Sequence, residues 1–271
     1  MSRLAETFSA LKGRPALIPF LMAGDPDLEM SGRLLRAAAE AGDIVEIGVP
    51  FSDPIADGPT IQRAGQRSLE HGTTLTNVLV LARGLRRQID RPIVLLTYFN
   101  PVFQYGIDRF CGDARAAGVD GVVIPDLPAD EADSLIAPAR DAGLDTIFLV
   151  APTTSDTRIR LAGERSRGFI YCVSFTGVTG ARAAVPPEVE ALARRVKALT
   201  TQPVCVGFGI STPAQAAAIG RVADGVIVGS ALVDVIERSG DEPEKSLATF
   251  LQKVRVAMAP LDMTRPQNPL G

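Results

Sequence analysis

The sequence predicts a (β/α)8 TIM barrel, and three observations carry that expectation. Short runs rich in Val and Ile recur eight times along 271 residues, at 16–20, 44–49, 93–98, 121–124, 146–150, 169–173, 204–208 and 225–228. They are nearly continuous rather than alternating, as parallel strands covered on both faces should be. An open doubly wound sheet would need a switch point, and no Gly-x-Gly-x-x-Gly follows the first run. Eight units at this spacing close into a barrel more naturally.

The elements follow in order. A short extra helix is expected at the N-terminus, ahead of the first strand. Asp25-Pro26, Thr212-Pro213 and Pro186-Pro187-Glu188 read as helix starts, with a cap or a proline at the first helical position. Gly42, Gly118 and Gly143 stand where helices should stop. Ala41-Gly42-Asp43, Ala117-Gly118-Val119-Asp120 and Ala142-Gly143-Leu144-Asp145 look like one helix-to-strand joint used three times. No linker rich in Pro, Gly and Ser divides the chain, so residues 1–271 are expected to form one barrel domain, with a loose tail over 263–271.

Composition narrows the function. Apolar residues make up 46% and charged residues 22%, ordinary for a globular protein with a large core. A net charge of −3 without a Lys/Arg block argues against nucleic acid or an anionic membrane as partner. No apolar stretch approaches the ~20 residues that span a bilayer, and the N-terminus lacks the apolar run of a signal peptide. The chain is therefore expected in the cytoplasm. Cys111, Cys172 and Cys205 have no metal-binding spacing and read as reduced thiols of the interior. His71, the sole histidine, reads as a surface residue at a helix end.

In a TIM barrel the chemistry lies at the C-terminal ends of the strands. Three of the loops there are glycine-rich: Thr176-Gly177-Val178-Thr179-Gly180, Gly207-Phe208-Gly209-Ile210-Ser211 and Gly229-Ser230. Glycine lets backbone N–H groups approach an anion, and a helix starting at Ser230 would aim its positive end at the same point. Each motif alone is equally well a tight turn. Together on neighbouring strands they point to a phosphate grip.

Glu46 is an acidic residue inside an otherwise apolar strand. An unpaired carboxylate buried there would cost several kcal/mol. It is either a structural partner of an arginine or an acid/base with a raised pKa. Asp57, in Asp53-Pro54-Ile55-Ala56-Asp57-Gly58-Pro59, either closes a turn or caps the next helix, or serves the site. Tyr171 reads as an aromatic of the barrel interior. Lysines stand only at Lys12, Lys197, Lys245 and Lys253, never in a strand, so no Schiff-base lysine is available. One histidine does not make a His-rich metal centre, and no metal site is expected.

The run Val-Glu-Ile-Gly-Val-Pro-Phe-Ser-Asp-Pro-Ile-Ala-Asp-Gly-Pro at 45–59 resembles the signature of tryptophan synthase α subunits. Residues 19–26, 174–182, 207–210 and 229–230 resemble the same family in the same order. The resemblance implies a lyase of tryptophan biosynthesis that cleaves indole-3-glycerol phosphate to indole and glyceraldehyde 3-phosphate by a retro-aldol reaction. It implies Glu46 as acid/base and Asp57 as acceptor of the indole N–H. Phe20, Leu96, Tyr171, Phe208 and Ile227 would line the pocket. Gly180, Gly209, Gly229 and Ser230 would hold the phosphate, with Thr179 in a lid at 177–186. Phe175 departs from relatives that carry a charged residue there. The resemblance implies no cofactor in this chain. It also implies a pyridoxal-phosphate β subunit as partner in an α2β2 heterotetramer, met by Asp53, Asn100, Phe103, Asp126 and Pro128. A flavin-binding barrel and a non-catalytic partner subunit are the alternative classes.

Overall fold

A computed structural model describes residues 1–173, 187–207 and 209–259. Its strands are β1 (Ala16–Met22), β2 (Val45–Gly48), β3 (Ile93–Leu96), β4 (Gly121–Val123), β5 (Asp145–Ile147), β6 (Leu149–Val150), β7 (Ile170–Cys172), β8 (Val204–Val206) and β9 (Gly225–Val228). All pair in parallel, in the order β5-β4-β3-β2-β1-β9-β8-β7-β6. The two ends of that order, β5 and β6, are separated in the chain by Phe148 alone. They make the fifth run of the barrel, and the sheet closes through it. Each of the eight runs read from the sequence corresponds to a strand of this barrel.

The helices are α1 (Arg3–Ala10), α2 (Leu28–Ala41), α3 (Pro59–Glu70), α4 (Leu75–Arg86), α5 (Phe99–Tyr105), α6 (Ile107–Ala116), α7 (Asp133–Ala142), α8 (Asp156–Arg165), α9 (Pro187–Leu199), α10 (Pro213–Gly220), α11 (Ser230–Arg238) and α12 (Pro243–Ala257). Three units carry two helices where the sequence suggests one. Glycines with positive φ mark the breaks: Gly72 (+73°) before α4, Gly106 (+91°) before α6 and Gly240 (+56°) before α12. A capping box of Thr74 and Asn77 then restarts α4. No helix among the described residues is long and apolar enough to cross a membrane.

Of the expected helix signals, Thr212 caps α10 in a capping box with Gln215, and α9 begins at Pro187. Gly42 caps the end of α2, and Gly143 ends α7 in the left-handed conformation. Asp25-Pro26 is not a helix start. The cap of α2 is Asp27, whose side chain accepts from the Met30 N–H at 2.8 Å. Asp25 instead pairs with Arg67, across 42 residues of sequence, a contact that no local pattern announces.

Two apolar layers explain the continuous strand pattern. Ala16, Ile18, Phe20 and Met22 of β1 point into the barrel beside Val94, Leu96, Ile147, Tyr171, Cys205 and Ile227. Leu17 and Leu21 point outward against the helices. Helix α1 plugs the N-terminal end of the barrel. Leu4 is fully buried in the interior cluster, and the Phe8 ring meets Phe169 edge-on at 6.0 Å. Fully burying a side chain of this kind contributes roughly 1.5–3 kcal/mol.

The repeated joint before the strands also has a physical meaning. Asp43 accepts the Leu17 N–H at 2.8 Å, Asp120 that of Ile93 at 3.0 Å and Asp224 that of Val204 at 2.9 Å. Each carboxylate therefore clips the start of the neighbouring strand. Asp43 is held further by Arg14 and Arg255, Asp120 by Arg3, Arg86 and Arg115, and Asp224 by Lys197. Asp145 is the exception. Its Oδ2 has no partner among the described residues, and Arg167 stands 3.8 Å from its Oδ1.

Candidate functional site

Strand β2 carries Glu46 in register with Phe20 of β1 and Val94 of β3, on the inward face. The residue is fully buried, and neither carboxylate oxygen has a hydrogen-bond partner among the described residues. The structural alternative, an arginine pair, is therefore absent among them. Burial, with the charge of Asp57 as a second cause, pushes the Glu46 pKa up to about 8. At neutral pH the group is mostly protonated, an acid with its proton to give.

Asp57 lies half-buried in the loop between β2 and α3. Its backbone closes the turn, the N–H bonding to Pro54 O at 3.1 Å. Its carboxylate is not spent on capping, since the N-cap of α3 is Gly58 and no side chain caps that end. Burial raises the Asp57 pKa to about 6, against the lowering effect of a hydrogen bond donated by Tyr98. Asp57 is thus mostly ionised at pH 7, where Glu46 is mostly neutral. Two carboxyl groups have been driven into different protonation states by their surroundings.

Tyr98 is a functional residue that sequence reasoning does not single out. It follows β3, is buried, and accepts the Ala56 N–H at 3.0 Å while donating to Asp57. The Phe51 ring stacks on it at 5.2 Å. Its only sequence signal is its place, a hydroxylated aromatic just past the C-terminal end of a barrel strand.

Phe20, Leu96, Tyr171 and Ile227 all belong to the interior cluster and are buried. Two glycines make room for this wall. A β-carbon on Gly48 would fall 2.6 Å from the Phe20 ring, and one on Gly207 would fall 2.4 Å from the Tyr171 hydroxyl. Burial, then the neighbouring Glu46, raises the Tyr171 pKa well above its ordinary value, so its hydroxyl keeps its proton.

Gly209 has φ +56° and is exposed, with nothing within 4 Å of where a β-carbon would stand. Gly229 is the N-cap of α11 and Ser230 its first residue, with no side chain capping that helix. The contrast with α10 is informative. There Gln215 accepts from the Ser211 and Thr212 N–H groups, and Thr212 from the N–H of Gln215. Among the described residues no side chain serves the first-turn N–H groups of α11 in this way, and they suit an anion. Thr179, Gly180 and Phe208 lie outside the described residues, as do Phe175, the segment 177–186 and the tail 263–271.

Asp53, Asn100, Phe103, Asp126 and Pro128 are all exposed, Phe103 to 59%. Ile55, in the same loop as Asp57, is exposed to 82% and extends the apolar part of this face. The Asp126 carboxylate accepts the Phe99 N–H at 2.9 Å, tying the loop after β4 to the start of α5. Two clefts at the opposite end of the barrel, one beside Arg14, Lys197 and Asp224 and one beside Arg165, do not compete as sites. Those charged groups are already in ion pairs.

Comparison with known proteins identifies the chain's relatives. The family model described as tryptophan synthase alpha chain matches residues 8–261. The tryptophan synthase alpha chain of Geobacter sulfurreducens is 50% identical over 262 residues, covering 95% of this chain and 99% of that one. The same-named protein of Gluconacetobacter diazotrophicus is 53% identical over 258 residues, covering 94% of each. Among solved structures, tryptophan synthase subunit alpha from Legionella pneumophila superposes with a TM-score of 0.88 at 37% identity, covering 95% of this chain and 98% of that one. A chain of the aminoacrylate-bound tryptophan synthase from M. tuberculosis gives a TM-score of 0.86 at 38% identity, covering 95% and 100%.

Proposed function

Since the chain belongs to the tryptophan synthase alpha chain family, we propose that Glu46 and Asp57 divide between them the proton chemistry of that family's reaction. The enzyme is a carbon–carbon lyase of tryptophan biosynthesis, cleaving indole-3-glycerol phosphate to indole and glyceraldehyde 3-phosphate. The observation that carries the residue assignment is Glu46: fully buried, unpartnered among the described residues, facing the barrel interior, with Asp57 as the nearby charge.

Protonated Glu46 gives its proton to C3 of the indole ring, and the positive charge spreads to the ring nitrogen. Ionised Asp57 accepts the indole N–H and stabilises that cation, an effect worth a few kcal/mol of barrier when the charge is preorganised. Glu46, now a carboxylate, takes the proton of the hydroxyl on the adjoining glycerol carbon. The carbon–carbon bond breaks, its electron pair neutralises the ring, and the hydroxyl carbon becomes the aldehyde of glyceraldehyde 3-phosphate. The indole is its own electron sink, so the cleavage needs no cofactor held by this chain. Lys197 and Lys245 are held outside the barrel interior, in ion pairs with Asp224 and Glu242.

Phe20, Leu96, Tyr171 and Ile227, with Phe208, form the indole pocket in this reading. Gly209, Gly229 and Ser230, with Thr179 and Gly180, hold the phosphate. An alpha chain works with a β subunit. The exposed face of Asp53, Ile55, Asn100, Phe103, Asp126 and Pro128 is the proposed contact, in an α2β2 assembly with pyridoxal phosphate only in the partner. The proposed compartment is the cytoplasm.

The test is to incubate the pure protein with indole-3-glycerol phosphate and follow free indole, with and without a β subunit. Parent enzyme should release indole in both cases, faster in the complex. Glu46→Gln should release almost none, with kcat about a thousandfold lower, while still binding glycerol 3-phosphate. Near-parental turnover by Glu46→Gln would remove it from the mechanism. Ser230→Asp should raise KM by charge repulsion, and an unchanged KM would place the phosphate elsewhere.

A further inference from the structure

We infer that Arg67 is a positioning residue whose three-way ion pair fixes the separation between the indole end and the phosphate end of the site. Its Nε and Nη2 donate to both carboxylate oxygens of Asp25, in the turn after β1, at 2.7 and 2.9 Å. Its Nη1 donates to Glu237 of α11 at 2.6 Å. One turn earlier on α3, Arg63 stands 3.5 Å from Glu237 and 3.8 Å from Asp234. Packing independently seats α3 on the turn after β1. Ser68 Oγ donates to the Ala23 carbonyl, and a β-carbon on Gly24 would collide with both Thr73 and Ser68.

The two helices joined in this way start at the two ends of the substrate. Helix α3 begins two residues after Asp57, and α11 begins at Ser230. Arg67 lies eight residues into α3 from Pro59, and Glu237 seven into α11 from Ser230. At 1.5 Å per residue the tie sits about 11 Å behind both N-termini. With that lever, a tilt of roughly 5° moves a helix end by about 1 Å, and a misplacement of that size costs on the order of a hundredfold in rate. The bidentate contact with buried Asp25 fixes the guanidinium on the turn after β1, and from that fixed point its remaining nitrogen holds Glu237 of α11.

The inference rests on the reading of Asp57 and Ser230 proposed above, and a ligand series separates the two. Affinities are measured by calorimetry for glycerol 3-phosphate, for indole, and for an unreactive indolyl-alkyl phosphate that spans both ends. Glu237→Ala removes the hold of Arg67 on α11, leaving Arg67 on Asp25 and only the 3.8 Å Arg63–Asp234 ion pair between the helices. It should bind each half-ligand within about twofold of the parent, yet bind the spanning ligand about tenfold more weakly, because the linkage advantage is lost. Its kcat/KM should fall by roughly the same factor, and Glu237→Gln, which keeps an acceptor for Arg67, should recover most of it. Arg67→Lys, which retains a counter-charge for Asp25 but not the fork, should show the same pattern should Glu237→Ala fold poorly. Equal weakening of all three ligands, or no change in any, would reduce Arg67 to a fold-stabilising residue. If Ser230→Asp leaves glycerol 3-phosphate binding intact, the phosphate reading fails instead, whatever Arg67 does.

Discussion

Asp43 and Glu46 are both buried acids, three residues apart at the start of the second barrel strand, and the fold treats them in opposite ways. Asp43 faces the N-terminal end. Burial alone would raise its pKa, but Arg14, Arg255 and the Leu17 N–H outweigh burial and hold it below the ordinary carboxylate range. Glu46 sits about 10 Å farther along, at roughly 3.3 Å per residue. It meets no cation among the described residues, and its pKa climbs to about 8. Asp120 and Asp224 repeat the Asp43 arrangement, and Asp57 joins Glu46 in being raised. At one end Asp43, Asp120 and Asp224 are satisfied and stabilise the fold, with Asp145 as the exception. At the other end Glu46 is left without a partner among the described residues, at a cost in stability, so that it can move a proton.

The sharpest way to break this comparison is Glu46→Gln. Loss of the acid/base should lower kcat by about a thousandfold, within the usual range for such groups, measured by indole release. The same variant should gain stability. A carboxyl whose pKa rises on folding favours the native state at low pH, and that benefit is lost as pH climbs from 4.5 through about 8. In urea melts Glu46→Gln should therefore match the parent near pH 4 and exceed it at pH 9, by on the order of 3–5 kcal/mol. A variant that is less stable at pH 9 would show that the carboxylate is paired after all.

Asp57→Ala should cost at least about a hundredfold in kcat/KM, on the scale of one preorganised electrostatic contact. Indole release under single-turnover conditions measures it.

At the other end, Asp43→Asn should destabilise the fold by about 2 kcal/mol at pH 7, the scale of hydrogen bonds to a charged group. The sign with pH is opposite to that of Glu46. A lowered pKa contributes stability above the unfolded value and loses it as pH falls through the folded value, so the deficit should shrink as pH falls below 3.8. Activity per folded molecule should stay at the parental level. A loss of turnover without a loss of stability would blur the division between the two ends.

The smallest effect concerns the border of the active end. Tyr98→Phe removes the hydrogen bond that lowers the Asp57 pKa, so that pKa should rise above about 6. The plot of kcat/KM against pH should be a bell, with Asp57 setting the acid limb near 6 and Glu46 the alkaline limb near 8. In Tyr98→Phe the acid limb should shift upward, with about tenfold lower activity at pH 6 and little change at pH 7.5. An unmoved acid limb would separate Tyr98 from Asp57.

Much of the barrel and part of its site are legible in the residues alone. The eight apolar runs are the strands of the barrel, since the requirement to cover both faces of a parallel sheet is written locally in Val- and Ile-rich segments. Gly42 and Gly143 end helices where the pattern places them. The Glu46 anomaly is visible because its neighbours in sequence are apolar. The helix breaks at Gly72, Gly106 and Gly240 are not legible, because an isolated glycine in a helical pattern is ambiguous until its φ is known. Asp25 looks locally like part of a helix start, whereas its partner is Arg67.

What the sequence determined by itself was periodicity, helix punctuation and an acid placed among apolar neighbours, all properties of windows a few residues wide. Whether that acid had a counter-ion was decided only by tertiary structure, since arginines reach Asp43 from positions 14 and 255 and none among the described residues reaches Glu46. The same holds for Tyr98 under Ala56 and Arg67 on Asp25, each pair separated by 42 positions. The physical reason is that a carboxyl group's protonation state depends on burial and on charges a few ångströms away in space, and chain closure sets those distances.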